Sequence, residues 1–325
     1  ASNKAPEPPA ESLAASTEEG LTFLQLLDKF LLFKKVREAT VVAYKQAAEE
    51  FAAHYGKRKK ITALLKSDIT RFQEKLLQKG NTIRTVDKKV GIIKTLLFFA
   101  IQQGYYFGEN PASNRDLMTK KQKLTEGHEH FEEDEIRKIY QSQFLATAKI
   151  EDPDYYWALV LALFTGCRVS EITSLTAEQF KMSDDGNHYI KLFDAKTQKG
   201  KREIPLPECL FKDGLKDFIP ETGQLFKYQS RDGKGSGNAV SKKFKRHLEE
   251  LTITRPKLVF HSLRKFTNDY FLKQDVPFEP RCQFFGHEVG NINVATYAKK
   301  FSIDQLARIV SPAQQMLVRK FYRIL

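Results

Sequence analysis

At 325 residues the chain is longer than one hydrophobic core usually serves, so an internal domain boundary is expected. The hydrophobic fraction of 41% is enough for packed cores, while the longest apolar run, around Trp157 to Phe164, falls well short of the about 18 residues a membrane helix needs, which excludes a membrane-spanning chain. A formal charge of +13 favours a polyanionic partner, and nucleic acid before a lipid surface, because no basic amphipathic helix shows a clean lipid-facing side.

The opening segment lacks the charged start and apolar stretch of a signal peptide, so a cytosolic location is expected. The chain starts at Ala1 without a methionine, as a processed product or a piece of a longer protein does, leaving room for a further N-terminal domain. Residues 1–20 hold almost no large apolar side chains to offset their ordering entropy and read as a flexible tail. A first helix is expected behind Thr22 as N-cap, with Phe23, Leu26, Leu27, Phe30 and Leu31 at helical spacing. A second follows Thr40, carries Tyr44, Ala47, Ala48, Phe51 and Tyr55 on one stripe, and stops at Gly56. After the basic knot Lys57, Arg58, Lys59 and Lys60, a third starts near Ser67 or Asp68, presents Ile69, Phe72, Leu76 and Leu77, and ends at Gly80. A fourth spans about Thr85 to Gly104 with Val86, Val90, Ile93, Leu97 and Ile101 on its stripe, and the turn Asn110-Pro111 closes a four-helix domain over 21–112. Between Thr22 and Ala112, 17 Lys plus Arg stand against 8 Asp plus Glu, a surplus of nine. Lys-rich helix faces are ordinarily only solvated, so this surplus gains meaning only from the motifs of the larger domain downstream.

Residues 113–127, with Lys120, Lys121 and Lys123, read as a basic linker to a larger domain over 128–310 and a C-terminal tail over 311–325. Glu132 to Tyr140 and Tyr155 to Phe164 carry helical patterns, the second apolar enough to be buried and broken by Thr165-Gly166. The period then changes: Tyr189 to Phe193 and Arg202 to Leu206 look like strands flanking a polar turn, Thr197 to Lys201, and form a β-hairpin. Helices resume around Asn238 to Leu251, Ser262 to Lys273 and Val294 to Val310, and the stretch from Ser302, with Leu306, Ile309, Val310, Met316, Leu317 and Phe321, is amphipathic. The fold class expected is mainly α with a small antiparallel β-sheet. The cysteines, Cys167, Cys209 and Cys282, are odd in number and lack metal-ligand spacing, so they read as reduced core residues, with no disulfide framework and no metal site.

Four fragments of the second domain hold its unusual polar residues: Thr165-Gly166-Cys167-Arg168-Val169-Ser170-Glu171, the hairpin with Lys196, His261-Ser262-Leu263-Arg264, and Gly286-His287 with Tyr297 ten residues later. In this order the sequence resembles the tyrosine recombinase (phage integrase) family, whose catalytic domain runs Arg, Lys, His-x-x-Arg, His or Trp, Tyr. The resemblance covers roughly Thr22 to Phe301 and implies a helical core-DNA-binding domain followed by a mixed α/β catalytic domain. It implies Arg168, Lys196, His261, Arg264, His287 and Tyr297 as the catalytic set. By the same resemblance the partners are duplex DNA recombination sites, a homotetramer of the chain on two of them, and accessory DNA-bending proteins, with no membrane. The C-terminal segment is then a subunit-exchange element, and the location is prokaryotic cytoplasm or nucleoid.

Physical chemistry accounts for such a set in phosphodiester exchange that needs neither cofactor nor metal. The charge on the two non-bridging oxygens grows in the pentavalent transition state, and the guanidinium forks of Arg168 and Arg264 can meet it with paired hydrogen bonds. His261 lies three residues before Arg264, so both project from nearly one helix face. His287 follows a glycine suited to a tight turn and can bond a non-bridging oxygen or accept the tyrosine proton. Tyr297 is the nucleophile, retaining the energy of the cut bond in a 3′-phosphotyrosyl link. Glu171, one turn after Arg168, either orients a guanidinium or a histidine or is a plain surface carboxylate. Lys196 is the general acid chosen among three hairpin lysines, with Lys199 and Lys201 as the others. Contacts from Lys57, Arg58, Lys59, Lys60, Lys120, Lys121 and Lys123 are expected to go to phosphates. Two rivals share this fold: a type IB topoisomerase-like enzyme that relaxes supercoils, and a DNA-binding regulator without chemistry.

Overall fold

In the computed structural model, which describes residues 20–193, 201–229, 235–287 and 300–322, the chain divides into two units, one ending at Glu126 and the next starting at Gly127. Most described residues are helical, and a small antiparallel sheet completes the fold.

The first unit is built on four helices. α1 (Phe23–Phe33) starts where Thr22 accepts the N–H of Gln25 and the Gln25 amide oxygen accepts the N–H of Thr22, a reciprocal cap that satisfies two otherwise orphaned donors. α2 (Glu38–Tyr55) begins two residues ahead of Thr40 and stops at Gly56, whose φ of +122° suits only glycine. α3 (Lys66–Gln78) opens with Asp68 accepting the Leu65 N–H, and α4 (Ile83–Gln102) with Thr82 accepting from Thr85. Their apolar stripes meet in one core, where the Phe51 ring stands edge-on to Phe23 at 4.7 Å and to Phe72 at 5.1 Å. Leu77, expected inward, is exposed, since Leu76 fills the core position instead. Beyond α4, Asn110 donates to the Lys94 carbonyl and Asp87 accepts the N–H groups of Leu117 and Met118, so the chain is fastened back onto α4. The short α5 (Lys120–Thr125), capped by Thr119, occupies part of the stretch read as a linker.

In the second unit α6 (Glu133–Tyr140), α7 (Gln143–Glu151), α8 (Pro153–Thr165) and α9 (Val169–Thr173) precede the sheet. α8 is buried on every side from Tyr155 to Thr165, as an all-apolar helix must be. The strands are β1 (Phe180–Met182), β2 (His188–Leu192) and β3 (Arg202–Pro205), antiparallel in the order 1-2-3, with Ile190 opposite both Phe180 and Ile204. The hairpin strands lie where the alternation puts them; its turn falls on residues 194–200, outside the described set. After a short helical stretch over residues 208–218 come α10 (Gly237–Glu250), α11 (Phe260–Lys273), α12 (Phe278–Phe285) and α13 (Ile303–Phe321).

Two expectations about the C-terminal part are corrected. The helix read over Val294 to Val310 does not run through unbroken: Lys300 and Phe301 are non-helical and Ser302 caps a helix from Ile303 by accepting the Gln305 N–H, while residues 294–299 lie outside the described set. Nor do residues 311–322 stand off as a tail. α13 runs through Ser311 and Pro312 to Phe321 and buries Ala313, Gln314, Leu317 and Phe321 in the core of its own unit, while the Gln314 amide donates to the carbonyls of Phe164 and Pro205 at 3.1 and 2.9 Å. Cys167 and Cys282 are buried and Cys209 is half-buried, all three as free thiols. Among the described residues no helix is long and apolar enough to cross a membrane.

Candidate active site

The site is assembled around the end of α8. Gly166 terminates that helix at a φ of +55°, and a Cβ on it would stand 2.2 Å from Cε1 of Phe285, so neither the backbone nor the space admits a side chain. The Gly166 carbonyl accepts a 2.8 Å hydrogen bond from Nη1 of Arg264, and the carbonyl of Phe285 accepts from Nη2 of the same guanidinium. Arg264 therefore reaches from the second turn of α11 to the ends of both α8 and α12, and its guanidinium carbon lies 5.5 Å from the centre of the Phe285 ring. Two neutral carbonyls orient it without cancelling its charge. Burial, then the repulsion of Arg202 and Arg168, lowers its pKa to about 10, which still leaves it charged at neutral pH.

Arg168 follows Gly166 by two residues, occupies the N-cap of α9, and keeps its side chain 46% exposed. Glu171 holds it twice: Oε2 accepts the Arg168 backbone N–H and Oε1 accepts from Nη1, both at 2.8 Å. Burial alone raises the Glu171 carboxyl, but Arg202, the Arg168 N–H and the Arg168 charge outweigh it and hold the group at about 2. Glu171 is thus a fixed carboxylate facing inward, not a plain surface one.

His261 occupies the first turn of α11, three residues before Arg264, with the His128 ring centroid 6.2 Å away. Partial loss of solvent, then the positive charges of Arg264, His128, Arg168 and Lys265, pull its pKa down from the usual value. His287 comes directly after Gly286, which ends α12 at a φ of +66°. Its backbone N–H donates to the Cys282 carbonyl, and its ring stacks on Phe285 at 5.7 Å. Desolvation, followed by the charges of Arg264, Arg168, Arg202 and Arg281, pushes its pKa down to about 4, so the imidazole is neutral at pH 7. Lys196 and Tyr297 lie outside the described residues, as does Lys199.

The structure brings Arg264 and His287 onto Phe285, holds Arg168 through Glu171 two residues beyond the Gly166 turn, and leaves His261 in the same electrostatic neighbourhood. Two participants escaped the sequence reading. Phe285 is the ring on which the Gly166 turn, Arg264 and His287 converge, and nothing but its place beside Gly286-His287 marked it. Arg202 is the other. Its alternation with Ile204 along β3 placed an arginine on the inward face of a strand, a signal that was present and unread.

In the first unit Lys57, Arg58 and Lys59 are exposed where α2 ends, Lys59 lies over the Tyr55 ring at 5.3 Å, and Lys60 is half-buried with its carbonyl accepting from the Tyr55 hydroxyl. Lys120, Lys121 and Lys123 are exposed on α5, and Lys123 pairs with Asp116 at 2.8 Å.

A model of the phage integrase family matches residues 129–302, just over half of the chain. The tyrosine recombinase XerC-like protein of Caldanaerobacter subterraneus subsp. tengcongensis is 23% identical over 275 residues, covering 73% of this chain and 68% of that protein. A lambda integrase dimer bound to a COC' core site is similar in structure, with a TM-score of 0.62 at 19% identity over 87% of this chain and 100% of that one. The Tn1549 transposon integrase in complex with a circular intermediate DNA matches with a TM-score of 0.61 at 18% identity over 90% and 99%. A lambda integrase tetramer bound to a Holliday junction gives 0.62 at 16% identity over 88% and 81%. At these identities the structural likeness establishes the fold.

Proposed function

Because the chain belongs to the phage integrase family, we propose that it is a site-specific DNA recombinase that cleaves and rejoins duplex DNA through a 3′-phosphotyrosyl bond to Tyr297, without metal or ATP. The observation that carries this reading is the pair of arginines, Arg168 and Arg264, oriented at the Gly166 turn, the first by the Glu171 carboxylate and the second by two neutral carbonyls. Such a site keeps unneutralised positive charge for an oxyanion.

In the proposed reaction Arg168 and Arg264 bind the non-bridging oxygens of the scissile phosphate, assisted by His261. The Tyr297 oxygen attacks phosphorus, its proton passes to the neutral His287 imidazole, and the bond from phosphorus to the 5′-oxygen breaks as Lys196 protonates the leaving oxygen. Attack by a different 5′-hydroxyl reverses these steps and joins new partners. The surplus of nine positive charges in the first domain, residues 21–112, gives it phosphate contacts, for which Lys57, Arg58, Lys59 and Lys60 are the proposed donors, joined by Lys120, Lys121 and Lys123 of the following stretch. The DNA-bound dimer and tetramer of lambda integrase support a homotetramer on two duplex sites as the working assembly. Accessory DNA-bending proteins and a location in a prokaryotic cytoplasm or nucleoid belong to the same reading.

The test is to incubate the chain with a pool of randomised, nicked duplexes, resolve the products on denaturing gels and sequence the DNA attached to protein. The parent chain is expected to form an adduct at a defined site, and Tyr297→Phe to bind the same DNA without one. An undiminished adduct in Tyr297→Phe would assign the nucleophile elsewhere. Relaxation of supercoils with no crosswise joining of two sites would make the chain a topoisomerase.

A further inference from the structure

We propose that Arg202 is a positioning residue for strand exchange: by gripping Glu171 it sets the Arg168 guanidinium, and it fastens that arrangement to α12. The inference rests on the recombinase reading above and extends it to a residue outside the motif set.

The alternation along β3 turns Arg202 and Ile204 inward, while Glu203 pairs with Lys191 at 2.9 Å. The Arg202 side chain is only 1% exposed, a position that a charge occupies at a high desolvation cost unless its hydrogen bonds are met. They are met in a directed way. Nη1 and Nη2 donate to Oε1 and Oε2 of Glu171 at 3.3 and 3.0 Å, so the fork engages both oxygens and fixes the plane of the carboxylate. Nη2 also approaches the Cys167 sulfur at 3.6 Å, and Nε donates to the Phe284 carbonyl at 2.9 Å.

The same two carboxylate oxygens hold the Arg168 N–H and its Nη1. An Arg and a Glu one turn apart at a surface ordinarily constrain each other little. Here the acid is locked from behind, so Arg168 loses its freedom although it is itself half in solvent. The bond to Phe284 carries the lock to α12, whose next carbonyl, that of Phe285, orients Arg264 and whose following turn presents His287. One buried guanidinium thereby references three of the proposed catalytic groups to a common frame. A stabilising role alone does not require this, because a buried ion pair can often be replaced by packed apolar side chains with no loss of stability. A lysine at 202 keeps the charge but cannot reach both Glu171 oxygens and the Phe284 carbonyl.

The test uses full-length chains and the duplex recovered with the parent in the trapping experiment. It is prepared with an ordinary scissile phosphodiester and with a methylphosphonate, in which a methyl group replaces one charged oxygen. Arg202→Met is expected to slow adduct formation about a hundredfold on the phosphodiester, with DNA affinity within about threefold of the parent, since a transition-state contact is lost and a ground-state one is not. On the methylphosphonate, where the charge that Arg168 meets is gone, the loss should shrink to under about tenfold. Arg202→Lys should behave like Arg202→Met, and adding Arg202→Met to Arg168→Ala should slow the reaction little further. Equal losses on the two substrates, or losses that multiply in the double variant, overturn the proposal. If thermal melting shows that Arg202→Met does not fold, Glu171→Gln, which keeps the shape and drops the charge that the fork grips, takes its place with the same criteria. A parent chain with which the trapping experiment recovers no attached DNA refutes the recombinase reading itself, a result distinct from any of these.

Discussion

At the scale of single residues, the most constrained position in the site carries no chemistry. Gly166 combines a left-handed φ of +55° with a Cβ position 2.2 Å from the Phe285 ring. Gly166→Ala is therefore expected to destabilise the chain by about 2 to 5 kcal/mol, summing the cost of the left-handed backbone and of overpacking, and urea denaturation would measure it. His247 makes a second case. It is fully buried on α10, bonded through its two ring nitrogens to the hydroxyls of Ser142 and Tyr155, and stacked 4.3 Å from Phe144. Burial, then the charge of Lys243, pushes its pKa down to about 4 from the usual 6.5. The unfolded chain takes up that proton as pH falls through 6.5, whereas the folded chain waits until about 4. Stability from keeping the ring neutral is complete above pH 6.5 and drains as pH drops toward 4, by up to about 3 kcal/mol. His247→Gln should flatten that limb relative to the parent when urea denaturation is compared at pH 7 and pH 4.5. An equal loss in both chains would assign the acid sensitivity to other groups.

At the scale of elements, those with a strong period were legible and the short or weakly patterned ones were not. α1, α4 and the hairpin strands follow directly from the Thr22 cap, the stripe from Val86 to Ile101 and the alternation around Ile190 and Ile204, although α4 starts two residues ahead of Thr85. α7 escaped because its one large exposed apolar residue, Ile150, blurs the stripe, and α12 because eight residues behind Pro277, with Pro280 in the first turn, offer barely two turns of pattern. β1 is three residues with no buried position, defined by pairing to β2 and not by its own sequence. The site motifs were readable because a glycine turn, an Arg-x-x-Glu cap and a His-x-x-Arg turn are local. Arg202 and Phe285 act across β3, α9 and α12, a juxtaposition that only the tertiary structure supplies. α13 shows the other limit: its stripe was seen, but its partner was not. Because Ala313, Gln314, Leu317 and Phe321 fill the core, deleting residues 311–325 should abolish cooperative thermal melting of the second unit, read by near-ultraviolet circular dichroism. A truncated chain that melts like the parent would restore the picture of a dispensable tail.

At the scale of the whole molecule, charge is distributed unevenly. The stretch from Thr22 to Ala112 holds a surplus of nine, much of the +13 total. Its core of phenylalanines is closed on itself, so residues 20–126 are expected to fold and to bind duplex DNA weakly, with a slope of about −0.9 in log affinity against log salt for each phosphate neutralised. A flat salt response in a filter-binding or anisotropy titration would reduce the surplus to a solubility device. The active-site cluster has its own imbalance. Burial, then Arg264, Arg168 and Arg202, lowers the pKa of His287, and burial, then Arg202 and Arg168, that of Arg264, while among the described residues Glu171 is the carboxylate that Arg168 and Arg202 grip. Arg264 is oriented by carbonyls that leave its charge intact. Among the described residues the like charges of the cluster therefore oppose one another within the fold. In the proposed reaction an entering phosphodiester supplies opposing charge to the protein's own interior, so DNA occupancy and folding stability are expected to be linked through mass action.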